Sequence, residues 1–338
     1  MNNLVMPSLE TINRLEANRE ELTTLVNKEV RLERKLRNMP SMQTMKEKEF
    51  LYKLALEYYK GQGLIFDAGL YLGVSTLCFG RGLKRNPHIG LKNMLQKPIQ
   101  SFELGICTAG IANKINQIYP DILKMREGDS FLPILRSNIK EVQSLTRLYE
   151  GDICHWLQKI PEALYEIAFL DVLKTATVND SVVSKIFPSL IPGRSVVIQQ
   201  DFITPNLPWI QISMGYLKEY FEYLFTRSAS TIYLNTKKIP KELVSKKFYD
   251  DFTLEESLAL FAQSYPSDLD EFGQYKMELA KGLLIAYKTD INQGIKHLEG
   301  CRSQYEKFAQ IKPWIRSVDD QINYARLLHL SLEASASS

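Results

Sequence analysis

The chain is poor in the features that mark several common protein classes. Its 338 residues include only four cysteines. These are Cys78, Cys107, Cys154 and Cys301, and no two form a C-x-x-C pair. Each therefore reads as a small core residue in a reducing compartment rather than as a metal ligand or a bridge. No apolar run approaches the roughly 20 residues needed to cross a bilayer. The opening stretch, MNNLVMPSLETINRLEANREE, has no basic segment followed by an apolar one, so it is not a secretory signal and a cytoplasmic location is expected. An excess of one charge is also missing. The 42 basic and 39 acidic residues leave a net charge of +3. They are intermixed, with no basic stripe interleaved with aromatics, so neither nucleic acid nor membrane is an expected partner. Of the histidines, His88, His297 and His329 show no constellation.

What is present is an ordinary globular balance, 45% hydrophobic and 24% charged, enough for a core without staples. The length predicts one α/β domain with additions. Leu9, Ile12, Leu15, Leu22 and Leu25 recur at helical spacing within 8–35, with Ser8 as a candidate cap. A second helix is expected over 46–59, with Phe50, Leu51, Leu54, Ala55 and Tyr58 as its apolar set, ended by Gly61 and Gly63. These N-terminal helices, 1–60, read equally as a lid or as the contact of a homodimer.

The periodicity then changes. Short apolar runs at 64–66, 98–102, 145–149, 167–170 and 195–199 read as strands. Helical segments near 75–83, 108–118, 130–140 and 178–187 lie between them, the signature of a parallel sheet covered on both faces. Two more strands, Tyr223–Arg227 and Thr231–Leu234, flank Ser228-Ala229-Ser230 and suggest an edge hairpin. The expectation is an α/β fold with a Rossmann-like, seven-stranded, mostly parallel sheet over 61–240. From Pro240 the reading is helical, with Thr253 and Glu256 in capping-box spacing and helices near 271–288, 291–309 and 316–333. Residues 241–338 thus form a C-terminal helical extension.

The first strand runs into Asp67-Ala68-Gly69-Leu70-Tyr71-Leu72-Gly73-Val74-Ser75. Glycines here let a backbone approach a ligand closely. The spacing lacks the third glycine of G-x-G-x-x-G, and an acidic residue before the turn is awkward for pyrophosphate. It suits a cationic, methionine-bearing nucleoside better, although an ordinary strand–helix turn would use the same glycines. Order adds weight, because Asp67, Glu103, Asp152 and Asp171 end four successive strand candidates. In an open α/β sheet, ligands bind outside those ends. Glu103 can accept ribose hydroxyls, and Asp152 with apolar Ile153 can meet an adenine edge.

The strings IFDAGLYLGVSTLCFGRGL, IQSFEL, GDSFLPILRSNI, YEGDICHWLQ, EIAFLDVLKTATVND and LIPGRSVVIQQDF resemble the class I S-adenosylmethionine-dependent methyltransferases over residues 62–235. Within these, the bacterial macrocin/TylF-like O-methyltransferases are the more similar group. The resemblance implies methyl transfer from S-adenosylmethionine, usually to oxygen of a small-molecule acceptor such as a sugar or natural product. The cofactor positions it points to are Asp67, Ala68, Gly69, Tyr71, Leu72, Gly73, Ser75, Glu103, Leu104, Asp152, Ile153 and Asp171. Asp171-Val172-Leu173-Lys174 is similar to the D-x-x-K of metal-dependent catechol-type enzymes, where Asp binds Mg2+ and Lys takes the proton. A buried lysine of lowered pKa would serve, and a solvated loop lysine is the competing reading. Metal ligation would further need Gln200 and Asp201, where related metal-dependent enzymes carry Asp-Asp or Asp-Asn. Mg2+ held by Asp171, Gln200 and Asp201 and a metal-free variant both stay open. His155 is the alternative base, or else a packed residue beside Trp156. Trp209 is a candidate substrate contact, whereas Met214 and Tyr216 read as helix packing. Three other functions compete: N-methylation on the same cofactor half, a binding or scaffold protein that uses the C-terminal helices, and a nicotinamide-dependent oxidoreductase.

Overall fold

A computed structural model describes residues 9–90, 94–120, 124–309 and 317–336. Ser8, the expected first cap, and the side chain of His329 lie outside the described residues. The central sheet has seven strands in the order β3-β2-β1-β4-β5-β7-β6. They are β1 (Leu64–Ala68), β2 (Ile99–Glu103), β3 (Thr146–Glu150), β4 (Tyr165–Leu170), β5 (Val196–Gln199), β6 (Phe221–Arg227) and β7 (Ser230–Asn235). The first five are mutually parallel, and β7 is antiparallel to both β5 and β6. The hairpin therefore folds back, so that its second strand, not its first, joins β5. The reason lies in the side chains: β7 is buried along its whole length, as a strand covered on both faces must be, whereas β6 is only partly covered, as suits an edge.

The first expected helix is broken in two, α1 (Leu9–Asn27) and α2 (Arg34–Asn38). The interruption has a local cause. The Lys53 ammonium donates to the carbonyls of Val26 and Lys28, which takes up the carbonyl end of α1, and Leu32 is buried in the stretch between. The second is α3 (Met45–Lys53), which opens with a capping box between Thr44 and Glu47 and passes into a π-helical turn, Leu54–Tyr58. Helices α4 (Val74–Leu83), α5 (Ala109–Ile118), α6 (Leu132–Ile139), α7 (Ile153–Lys159), α8 (Ala176–Ile186) and α9 (Pro208–Tyr216) connect the strands. The C-terminal segment folds as α10 (Leu254–Gln263), α11 (Glu271–Lys288), α12 (Ile291–Glu299), α13 (Arg302–Ala309) and α14 (Val318–Ala336). Thr253 and Glu256 form the capping box that their spacing predicts. The expected helix over 291–309 is split at Gly300-Cys301.

Alternating side chains divide the core between the two faces of the sheet. Ile65, Ile167, Phe169, Val196 and Ile198 pack with Leu22, Leu25, Phe50, Leu54 and Tyr58 of the N-terminal helices. Phe66, Ala68, Ala168, Leu170 and Val197 pack on the other face with Ile210, Met214, Phe261, Met277 and Leu284. Both terminal segments thus share their apolar cores with the sheet. No helix among the described residues is long and apolar enough to cross a membrane.

Candidate functional site

A cavity of about 340 Å3 lies at the carboxyl ends of β1 to β4, lined by Gly69, Tyr71, Glu103, Leu104, Asp152 and Ile153 on one side and Asp171 and Lys174 on the other. The turn after β1 brings these edges together. Gly69 has φ +88°, and a Cβ there would stand 2.3 Å from the Asp171 carbonyl oxygen, so only glycine allows β1 and β4 to meet. Tyr71 follows with φ 50°, and its backbone N–H donates to Glu103 Oε2 at 2.7 Å. Gly105 N–H donates to Glu103 Oε1 at 2.9 Å. Burial raises the Glu103 carboxyl above its ordinary value, against the pull of those backbone N–H groups. Asp152 caps α7, accepting from Cys154 N–H at 2.9 Å. Met42, Phe102, Ile111, Phe131, Val172 and Val178 supply the apolar wall.

The remaining expected cofactor residues stand behind this surface. Asp67, Ala68, Leu72, Gly73 and Ser75 are all buried and do not line the cavity. Asp67 Oδ2 accepts from Thr76 Oγ1 at 2.5 Å, while its Oδ1 has no partner among the described residues. Burial pushes its carboxyl up to about 7, only partly offset by hydrogen bonds such as that from Thr76. Gly73 has φ +91° and opens α4, where a Cβ would meet Leu135 and Ile139 at 2.6 Å. These residues shape the turn from below.

Two expected residues stand outside the cavity. His155 is exposed on the outer side of α7, with its ring edge-on to Trp156, and does not reach the cavity. Trp209 is buried, donates from Nε1 to the Leu173 carbonyl at 2.8 Å and packs edge-on against Tyr249. It steadies the 171–174 turn from behind. Met214 and Tyr216 are packing residues, the latter against Phe248 and Phe252. Lys174 is not an amine of lowered pKa. Its side chain is half exposed, as a loop lysine's would be, and although desolvation at its head pulls the amine down, the neighbouring charges of Asp171 and Asp201 more than reverse this and raise it. Its Nζ donates to Asp171 Oδ1 at 2.7 Å and also to Asp201 Oδ2. Asp171 itself is pushed up to about 7, first by burial and also by Asp201, with Lys174 pulling the other way.

The metal expectation does not fit these residues. Gln200 is turned away: its Nε2 donates to Glu47 Oε1 at 3.1 Å, and its Oε1 accepts from Ser230 Oγ at 2.6 Å. Among the described residues, no group of three or more His, Cys, Asp or Glu side chains could hold a metal ion.

Sequence reasoning overlooked the apolar wall and Glu47. The wall comes from separate segments, and although Phe102, Phe131, Val172 and Val178 lie inside the strings quoted above, no pattern marks them as lining a cavity. The Thr44-x-x-Glu47 capping spacing was readable, but its reach across to Gln200 was not.

The seven-stranded sheet, five parallel strands closed by an antiparallel hairpin, is the class I methyltransferase arrangement. No protein-family model and no curated protein matches the chain. Solved structures similar to it include an SAH-bound methyltransferase of Podospora anserina, at 14% identity over 70% of this chain and 100% of that one, with a TM-score of 0.39. CalS11, a TDP-rhamnose 3'-O-methyltransferase of calicheamicin biosynthesis, is 20% identical over 68% of this chain and 96% of its own, with a TM-score of 0.38. The O-methyltransferase NovP is 13% identical over 67% of this chain and 100% of its own, with a TM-score of 0.41. None of this singles out the macrocin/TylF-like group, and the case for an activity rests on the site's own residues.

Proposed function

We propose that the chain transfers a methyl group from S-adenosylmethionine to a hydroxyl of a small molecule. The carrying observation is the cavity itself: two carboxylates at neighbouring strand ends, Glu103 and Asp152, frame an apolar slot that runs to Asp171 and Lys174. A nucleoside matches that chemistry. Glu103 accepts from ribose hydroxyls, Ile153 and Phe131 cover the base, Asp152 receives its amino edge, and the Gly69 turn allows backbone to approach. The volume is of the size expected of a small-molecule site, about 300–1,000 Å3.

Bound there, S-adenosylmethionine supplies an electrophilic methyl on sulfonium, which ends as a methyl ether and a thioether. The chain's own residues manage the proton and the charge. Asp171 lines the cavity and is held by Lys174, so it is placed to accept the hydroxyl proton. Lys174 remains an ammonium and offers its charge to the developing alkoxide. The buried walls of Phe102, Phe131 and Ile153 exclude water from the reacting atoms.

Titration calorimetry with S-adenosylmethionine tests the reading. Saturable binding is expected, weakened about tenfold or more by Glu103→Ala, which removes charge-assisted hydrogen bonds. No heat at millimolar cofactor, or an unchanged affinity in the variant, would remove the assignment.

A further inference from the structure

At the carboxyl ends of β4 and β5 two carboxylates face each other, which is where the sequence suggested a divalent metal. The structure puts a side chain between them. Lys174 Nζ donates to Asp171 Oδ1 at 2.7 Å and to Asp201 Oδ2. We propose that the Lys174 ammonium is the resident cation of this site, standing between Asp171 and Asp201 in place of a divalent metal, so that the chain works without one. The idea rests on the methyl-transfer reading for its purpose but not for its test.

Four observations carry it. First, both carboxylates already hold a cation from within the chain, the one ammonium shared between them. Displacing the ammonium would cost two charge-assisted hydrogen bonds before any metal bond formed. Second, the residue that would complete a metal site is spoken for. Both ends of the Gln200 amide are engaged in a buried network with Glu47 and Ser230. Ser230 Oγ also lies 3.0 Å from Glu47 Oε1, and turning Gln200 outward would strip its Nε2 donor from this buried carboxylate. Third, Asp201 is oriented for the ammonium, since its other oxygen accepts from Thr204 Oγ1 at 3.2 Å. Fourth, Mg2+ needs near-octahedral oxygen ligation at about 2.0–2.1 Å and usually takes one or two carboxylates with several waters. Here Lys174 Nζ, hydrogen-bonded to both carboxylates, stands between the groups that would hold such an ion.

An ammonium has three N–H donors. Two point at Asp171 and Asp201, and Lys174 also lines the cavity. The third is the donor available to the acceptor oxygen as its negative charge grows. Lys174 thereby does what a metal would do electrostatically, with a single charge tethered to the turn that Trp209 steadies.

Mn2+ is the probe, followed by its spin-resonance signal on the full-length chain. The wild-type protein should leave Mn2+ free. Lys174→Met keeps most of the stem and removes the charge. It should bind Mn2+ about tenfold or more tighter than wild type, because the carboxylate pair is uncovered. The gain should vanish in the double variant Lys174→Met/Asp171→Asn and be absent in Lys174→Arg, which keeps a cation. Wild-type Mn2+ binding that Asp171→Asn abolishes would overturn the proposal, and so would a Lys174→Met chain of native circular dichroism with no gain. If Lys174→Met does not fold, the wild-type and Asp171→Asn titrations still decide. Cofactor calorimetry on the same samples reports separately, so failure of methyl transfer and failure of the resident cation are distinct results.

Discussion

Asp67 shows how a residue's position can be legible in sequence while its surroundings are not. Its position at the end of the first strand is legible, but its side chain turns under the Gly69 turn and not into the cavity. The consequence is a pH dependence of stability. Its carboxyl rises from the ordinary 3.8 to about 7 in the folded chain. Between those values the folded protein keeps a proton that the unfolded chain has released. Stability therefore falls as pH rises from about 4 to about 7 and levels off above, by a few kcal/mol at most. Asp171 titrates in the same window, so Asp67→Asn should remove about one proton's worth of slope, roughly 1.4 kcal/mol per pH unit. Denaturant unfolding at a series of pH values measures this, and an unaltered slope would assign the dependence to other carboxyls.

The N-terminal helices are joined to the sheet by a buried charge cluster. Arg194, just before β5, is 4% exposed and Glu166 of β4 is fully buried. Arg194 Nε donates to Glu166 Oε1 at 2.9 Å and Nη1 to Asn18 Oδ1 of α1 at 2.5 Å. Its guanidinium lies 3.7 Å above the Tyr58 ring and also donates to the Tyr58 carbonyl. Glu166 further accepts the backbone N–H of Lys60 and Gln62, each at 2.8 Å. A single residue pair thus ties α1, the π-helical turn and two strands together at the end of the sheet opposite the cavity. Arg194→Met should cost about 3–5 kcal/mol, because it leaves Glu166 charged and buried without its partner. Thermal unfolding would show this, and a loss under about 1 kcal/mol would mean that the cluster is not a fastening. None of it was legible beforehand, since Arg194 and Glu166 belong to no motif and meet across 28 residues of sequence.

The chain as a whole is more continuous than its periodicities imply. The changes of pattern near 60 and 240 are real boundaries of element type. They are not boundaries of the core, because Phe261, Met277, Ala280 and Leu284 pack with strand residues on one face. Gln321 of α14 donates to the Pro205 carbonyl in the loop after β5, which anchors the last helix to the sheet domain. Removing residues 241–338 would expose that face and should give an insoluble or molten chain rather than a free-standing folded domain. A truncated protein with native near-ultraviolet dichroism and undiminished cofactor binding would show the extension to be dispensable.

Local chemistry alone decided much of this protein. Alternating apolar runs, glycines at the first turn, and acidic residues at strand ends specify the parallel sheet and the rim on which Glu103, Asp152 and Asp171 stand, because strand period and turn dihedrals are properties of neighbouring residues. Only the tertiary structure decided which carboxylates face the cavity, that Asp67 lies beneath it, and that Lys174 is paired with two acids. Burial, and the charge a side chain meets across the fold, are set by residues distant in sequence, and a pKa follows from both.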